Sequence, residues 1–416
     1  MKRWLYRTLA VLLLLLTGCR AEEGHPVAAF PGTASTTRLP SQALPSRTAP
    51  EPATTPAVTA SSEKRGVWIS YYELDSLLSG KTPDQAGAVI DEMMQTCASY
   101  GLNMIFFHVR GNSDAYYQST VYPAAASIKA LLGKGFDPLE RAVEAAHRYG
   151  MELHAWINPY RVGKDKTRAQ VDKTFSYQDG YYYQPHETAV QQLVVKGVKE
   201  IVDGYDVDGV QFDDYFYPAG ALPADQPASF EKTAYEASEQ NSVADWRRSG
   251  VDALIRAVYK TVHTRPGCVF GISPSHDADK NRDDMYADVT AWMNRTDMVD
   301  YMCPQVYFGF ENETAPFHEV VEQWRSYPRK ESVSLYIGLA LYKAGQEDTF
   351  AGTGADEWQT HSSIMARSVN WLRTRKDCDG FIFFSYQYFT PASCGLSKDA
   401  QKIAEREVEQ VLALMR

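Results

Sequence analysis

Two adjacent carboxylates, Asp213 and Asp214, close the segment DGVQFDDYFYP at 208–218. The apolar residues from Val207 to Phe212 read as a buried strand, and three aromatics and a proline follow the acids. Side chains alternate along a strand, so Gln211 and Asp213 share one side and Val210 and Phe212 the other. Tyr215 continues the first row if the extended conformation persists. An acid in a cavity walled by rings loses hydration and its pKa rises; a second acid beside it drives the two titrations apart. One carboxyl can then donate a proton while the other stays charged, which is the division of labour glycoside hydrolysis needs. The simpler reading of Asp214 is a loop cap or an ion pair with an arginine.

The elements that must hold such a pair follow from the apolar runs. Strands are expected at 65–71, 102–110, 151–159, 207–214, 268–274, 298–308, 334–342 and 380–389. Helices are expected at about 83–100, 138–149, 186–203, 243–263, 288–295, 317–327, 358–375 and 397–415. Asp137-Pro138-Leu139-Glu140 has the form of a capping box with proline at the first helical position. The strands are nearly continuous apolar runs, as when both faces are buried. Eight strands alternating with eight helices predict an α/β fold, a (β/α)8 barrel, over an open doubly wound sheet. The segment after the first strand, WISYYELDS, also lacks the Gly-rich phosphate loop that the open sheet would favour.

Such barrels carry their chemistry at the C-terminal strand ends. Polar and aromatic residues gather at all eight here. Glu73 follows the first strand, and His108 and Arg110 end the second. The third offers Trp156, Asn158, Tyr160 and Arg161, and the fourth Gln211, the acids and Tyr215. His276 follows the fifth strand. Gln305 and Tyr307 lie on the sixth, Tyr342 and Lys343 end the seventh, and Tyr386 lies on the eighth. We take Arg110, Trp156, Asn158, Tyr160, Arg161, Gln211, Tyr215, Gln305, Tyr307 and Tyr386 as candidate substrate contacts. Tyr181, Tyr182 and Tyr183 could also stack on sugar rings, although ordinary packing accounts for many of these aromatics.

The chain begins with a different material. Lys2, Arg3 and Arg7 precede an apolar run at 9–16, too short for a membrane span and suited to a signal peptide. The run ends in Leu16-Thr17-Gly18-Cys19, which resembles the bacterial lipobox. That resemblance implies cleavage after residue 18 and a lipid on Cys19. Residues 20–62 contain seven prolines and few large apolar side chains, the composition of an extended tether. The remainder, 63–416, is long enough for one large domain. This order places the domain extracytoplasmically, anchored to a bacterial membrane. A net charge of −10 argues against nucleic acid as a partner. No C-x-x-C pair occurs among the remaining cysteines, so buried thiols are expected, with Cys378–Cys394 as the conceivable disulfide. No metal-ligand spacing, cofactor motif or G-x-S-x-G elbow stands out, and a monomer is expected.

Taken in order, RGVWIS, GLNMIFFHVRGNSDAYY, GFDPLERAVEAAHRYGMELHAWINPYR, DGVQFDDYFYP, VFGISPS, VDYMCPQVYF and DGFIFFSYQYF resemble the bacterial glycosyl-hydrolase-like family 10 lipoproteins. The resemblance runs from about residue 64 to 390. It implies a TIM-barrel glycosidase acting on a polysaccharide, for some members the glycan strands of peptidoglycan, including strands stripped of stem peptides. Matched position by position, the strand-four acids are Asp213 and Asp214, with Arg110, Asn158 and Gln305 at other polar motif positions. Asp213 occupies the place of the nucleophile in the DGxRxD pattern of amylase-type barrels, but Gln211 replaces its arginine. Asp213 is therefore expected as nucleophile or charge stabiliser and Asp214 as proton donor, with Glu73 or Glu313 as alternative donors. Two rival functions remain, a non-catalytic glycan-binding lipoprotein and a hydrolase of another extracellular polysaccharide.

Overall fold

The strand-like runs pair in chain order. In a computed structural model, which describes residues 63–178 and 180–415, the barrel strands are β1 (Lys64–Ile69), β2 (Met104–Arg110), β3 (Glu152–Ile157), β4 (Gly209–Phe212), β5 (Val269–Ile272), β6, β7 (Ser334–Leu339) and β8 (Gly380–Phe384). Strand β6 comes in two pieces, Tyr301–Met302 and Gln305–Val306, split at Cys303-Pro304 because proline has no N–H for the ladder. All neighbours are parallel. β1 pairs with β8 and both pieces of β6 pair with β7, so the sheet closes. The expected signal peptide, Cys19 and the tether lie outside the described residues.

The barrel helices are α1 (Pro83–Ser99), α2 (Pro138–Arg148), α3 (Thr188–Gly204), α4 (Val243–Val262), α5 (Val289–Met293), α6 (Phe317–Ser326), α7 (Ile364–Arg373) and α8 (Lys398–Met415). Local chemistry sets their starts. Thr82 and Gln85 form a capping box before α1, whose first residue is Pro83. The Asp137 carboxylate accepts from the Leu139 and Glu140 amides and also from Gln118 N–H and the Tyr205 hydroxyl. One acid thus starts α2 and ties it to the loops around it.

Alternation divides the apolar residues into two cores. Outward side chains such as Val67, Ile105, Val210 and Phe212 pack under the helices in one large cluster. Inward ones, Trp68, Met104, Phe106, Trp156, Tyr301, Cys303, Tyr336 and Ile382, fill the barrel in a second. Two strand glycines make room for the inner rings. A Cβ on Gly209 would meet the His154 ring at 2.6 Å, and one on Gly271 the Tyr301 ring at 2.1 Å.

Three departures from expectation bear on the barrel mouth. Strand β1 stops at Ile69, because Ser70 and Glu73 form a capping box that opens a helix at Tyr71–Leu78. Between β3 and α3 the chain builds an antiparallel sheet from Arg161–Gly163, Thr174–Tyr177 and Gly180–Tyr183. Strand β8 ends at Phe384, and Tyr386–Phe389 form a 3-10 turn in place of its expected extension. The five described cysteines are free thiols, so Cys378 and Cys394 are not bridged.

Candidate active site

Asp213 and Asp214 follow the last residue of β4 and sit nearly closed from solvent, 3% and 9% exposed. They face different neighbours. Asp213 Oδ2 accepts from the Trp156 indole N–H at 3.1 Å, and Oδ1 accepts from the Tyr215 amide at 3.1 Å. Asp214 is held by the side chain of Gln305, whose amide also donates to the Ser273 carbonyl at 3.1 Å. Burial pushes both pKa values above the ordinary carboxylate range. It carries Asp214 up to about 6, against the opposing pull of Gln305 and of the Lys280 charge. Asp213 lies well above 3.8, through burial first and the Asp214 charge second. Such a pair titrates in two steps, and between them one acid and one base stand side by side.

Three residues hold Trp156 against Asp213. The Trp156 ring stacks on His108 with centroids 3.6 Å apart and planes 14° apart. His108 Nδ1 faces the Tyr71 amide at 3.4 Å and Nε2 faces Asn158 Oδ1 at 2.9 Å, a pattern that requires neutral imidazole protonated on Nε2. Burial agrees, since it holds the His108 pKa well below 6.5. Asn158 in turn donates to the Gly111 carbonyl at 2.9 Å. Asn158 thus orients His108, His108 supports Trp156, and Trp156 donates to Asp213.

The opposite wall is aromatic. Tyr307 stands edge-on to Tyr342 at 5.7 Å and leans on Phe384 at 5.8 Å, and Tyr342 lies 6.1 Å from Tyr388. Burial raises the Tyr307 hydroxyl pKa well above 10, with Tyr342, Cys303 and then the two aspartates adding to the rise, so Tyr307 stays a neutral donor. Arg161 covers the Tyr215 ring at 4.9 Å, and Tyr72, 40% exposed, sits 4.0 Å from Tyr71. The mouth combines paired carboxylates with flat rings and hydroxyl donors, the equipment for gripping a sugar and breaking its glycosidic bond.

Sequence comparison gives the same answer independently. The description of the glycosyl hydrolase-like 10 family matches residues 63–352. The chain belongs to that family. It is 30% identical over 383 residues to glycosyl hydrolase DigH of Escherichia coli (strain K12), covering 80% of this chain and 85% of that one. It is also 30% identical over 317 residues to glycosyl hydrolase YngK of Bacillus subtilis (strain 168), covering 68% of this chain and 61% of YngK. Among solved structures, the PgaB (BpsB) glycoside hydrolase domain from Bordetella bronchiseptica superposes with a TM-score of 0.53 at 11% identity, over 83% of this chain and 99% of that one. The catalytic domain of β-amylase from Paenibacillus polymyxa does so at 0.52 and 10%, over 85% and 99%. At these identities the structural likeness speaks for the barrel alone. This member of the glycosyl hydrolase-like 10 family is a glycoside hydrolase with a (β/α)8 fold.

The structure brings together at the mouth Asp213, Asp214, Trp156, Gln305 and Tyr307, with Arg161 and Tyr215 at the rim. It places five other candidate substrate contacts elsewhere. Arg110 leaves the inward row at a bulge between His108 and Arg110, and its guanidinium donates to the Asn158 and Pro159 carbonyls and covers the Tyr122 ring at 5.0 Å. Asn158 is 1% exposed and supports His108. Tyr160 is sealed in the outer core against Phe216. Gln211 does point inward but lies fully buried, accepting from the Trp68 indole at 2.7 Å. Tyr386 turns outward with the 3-10 turn, its hydroxyl reaching the Thr96 side chain of α1.

The alternative donors are also placed. Glu73 is buried and accepts from the Ser70 and Gln387 amides at 2.6 and 2.7 Å, joining the ends of β1 and β8. Glu313 is exposed and accepts from the Thr353 amide at 3.1 Å. Sequence reasoning missed Lys280. Asp277 caps the short helix Ala278–Asp283 and so positions Lys280, whose charge acts on Asp214. The S-P-S-H-D-x-x-K run after β5 carried that signal, because Asp-x-x-x reads as a helix start.

Proposed function

We propose that this glycoside hydrolase cleaves the glycan strands of peptidoglycan, from a position on the outer side of a bacterial membrane where a lipid on Cys19 holds it. The observation that carries the chemistry is the Asp213–Asp214 pair, buried together at the end of β4 with both carboxyls raised above their ordinary range. Asp214 supplies the proton. Its pKa of about 6 lies near the working pH of such an enzyme, and it is the more exposed of the two. While Asp214 holds that proton, its charge no longer adds to the burial that raises Asp213. The Trp156 and Tyr215 donors then stabilise charge on Asp213, which faces the oxocarbenium-like centre as nucleophile or stabiliser. The aromatic wall of Tyr307, Tyr342 and Phe384 takes the apolar face of a sugar ring.

The substrate reading is supported by the lipobox-like LTGC at 16–19, the proline-rich tether and the family resemblance, which together favour a barrel beside the cell wall. Purified domain, residues 63–416, incubated with intact and with peptide-stripped peptidoglycan tests it, with released fragments weighed by mass spectrometry. Anhydro-free saccharide products show hydrolysis and identify the bond. Binding without any product would instead support a glycan-binding lipoprotein, and products only from another polysaccharide would replace the substrate. Labelled palmitate should enter the wild type and not Cys19→Ser; equal incorporation would remove the anchor.

A further inference from the structure

Beside the barrel mouth lies a second concavity of about 400 Å³, lined by Lys166, Thr174, Phe175, Tyr181, Ser229 and Phe230 among others. One side comes from the antiparallel sheet between β3 and α3, the other from the long loop between β4 and α4. That loop begins with Asp213 and Asp214, and the sheet begins with Arg161, which covers Tyr215. The two sides are tied where the Tyr177 hydroxyl donates to the Ala219 carbonyl at 3.2 Å. The cleft is therefore built from the same two loops that form one flank of the active site.

Its floor is a preassembled aromatic stack. Phe175 and Phe230 lie face to face, 4.6 Å apart and 8° from parallel. His186 lies nearly parallel to Phe230 at 6.2 Å and meets Trp246 of α4 at 4.9 Å. Burial lowers the His186 pKa, so this support is a neutral ring. The loop side is fixed by a fully buried ion pair. Arg247 of α4 donates from Nε to Glu231 at 3.0 Å, and from Nη1 to the Pro223 carbonyl at 2.7 Å and to the Tyr286 hydroxyl at 2.5 Å. A second observation points to a ligand. Thr174 Oγ1, in the lining, is buried without a hydrogen-bond partner, a state proteins rarely leave uncompensated. Ser176 and Ser229 add exposed hydroxyls, and Lys166 places an ammonium at the edge, 3.1 Å from the more exposed Asp172.

We propose that this cleft is a distal saccharide subsite, which binds a sugar unit of the same glycan chain away from the bond being cut and favours units that carry a carboxylate. Flat rings bordered by hydroxyls suit the C–H face and hydroxyl rim of a pyranose. The ammonium of Lys166 suits an acidic substituent, such as the lactyl carboxylate left bare when stem peptides are removed. The proposal rests on the reading that the Asp213–Asp214 site cuts a polymeric glycan. Occupying a distant subsite stabilises ground and transition states alike, so it lowers KM for long chains and leaves kcat in place.

The test uses the full chain with peptide-stripped peptidoglycan oligosaccharides of two lengths, a short one that fills only the mouth and a long one of about eight sugars. Phe230→Ala should raise KM for the long substrate about tenfold, the scale of one lost ring contact. Lys166→Gln should raise it about threefold by removing a partly screened charge contact. Both should leave kcat, and all constants for the short substrate, within about twofold of wild type. Thr174→Val, nearly isosteric, covers the case in which Phe230→Ala melts early; it should also raise KM for the long substrate only. Equal losses on both substrates, or none on either from Lys166→Gln and Thr174→Val, would overturn the subsite. That result would leave the acid pair untouched if wild type still cuts both lengths, whereas a wild type that cuts neither would count against the hydrolase's substrate.

Discussion

The inner rows of the barrel strands carry polar groups at two heights, and they behave oppositely. Deep inside, His154 Nδ1 meets the Tyr301 hydroxyl at 2.9 Å, and Gln211 accepts from Trp68 at 2.7 Å, all within a shell of Phe106, Tyr336 and Ile382. Every group there is neutral; burial carries the His154 pKa down to about 3. At the mouth, one residue pair further along β4, Asp213 and Asp214 are as deeply covered but remain ionisable near neutrality. The same alternation placed Gln211 and Asp213 in one row. What differs is the company. The deep groups meet as neutral pairs in a closed core, although Gln211 Nε2 and His154 Nε2 find no partner there, while the acids repel each other beside a single amide, an indole and a lysine. Neutral pairs of this kind stabilise a fold, and raised carboxylates cost it stability in return for reactivity.

Substitutions in the two layers should therefore separate stability from rate. The largest effect is expected deep down. Trp68→Ala empties the centre of the inner core and should cost about 3–5 kcal/mol of stability, read by denaturant unfolding; a cost under 1 kcal/mol would mean the inner core repacks freely. Next comes Asp213→Asn, which keeps the shape and removes the charge. It should lower kcat by at least about 100-fold, roughly 2.7 kcal/mol, with glycan binding and melting temperature retained. A folded Asp213→Asn enzyme that turns over at wild-type rate would end the assignment.

Asp214→Asn should do two opposite things. Its rate loss should shrink on substrates with good leaving groups, which need little protonation. Its stability should rise. A carboxylate with a folded-state pKa of about 6 against an ordinary 3.8 holds a proton in the native state that the unfolded chain has lost. Wild-type stability therefore falls as pH rises from about 4 to 6 and stays lowered above, by about 3 kcal/mol for a two-unit shift. Melting curves of the variant should lack that fall. Because Asp214 is the proton donor, the same ionisation should give wild-type kcat/KM a basic limb that falls through about pH 6; a profile that stays flat from pH 5 to 7 would end that assignment. The smallest effect belongs to Gln211→Leu, which leaves the Trp68 indole unpaired and should cost about 1 kcal/mol with little change in kcat.

The eightfold alternation, the inward row of Gln211 and Asp213, and the acids at a strand end could all be read from residue order, because strand periodicity and helix starts are local properties. Strand lengths could not. Whether chain beyond Phe384 or Ile69 stays extended depends on partners distant in sequence, such as Glu73 bonding Gln387 across 314 positions. That coupling turned Tyr386 away from the mouth and made Glu73 a structural acid. The bulge after His108 likewise moved Arg110 to the outer face, a shift that side-chain type alone does not encode. The antiparallel sheet after β3 lies in a segment to which residue order assigned no element, its tyrosines serving either stacking or ordinary packing. Thus the sequence by itself determined the barrel, its two cores and the pair of acids, since these follow from alternation along each strand. Only the tertiary structure decided which polar residues reach the mouth, how Trp156, Gln305 and Lys280 set the acids' protonation, and that the β3 and β4 loops enclose a second cleft, because each depends on contacts between distant strands that no local pattern contains.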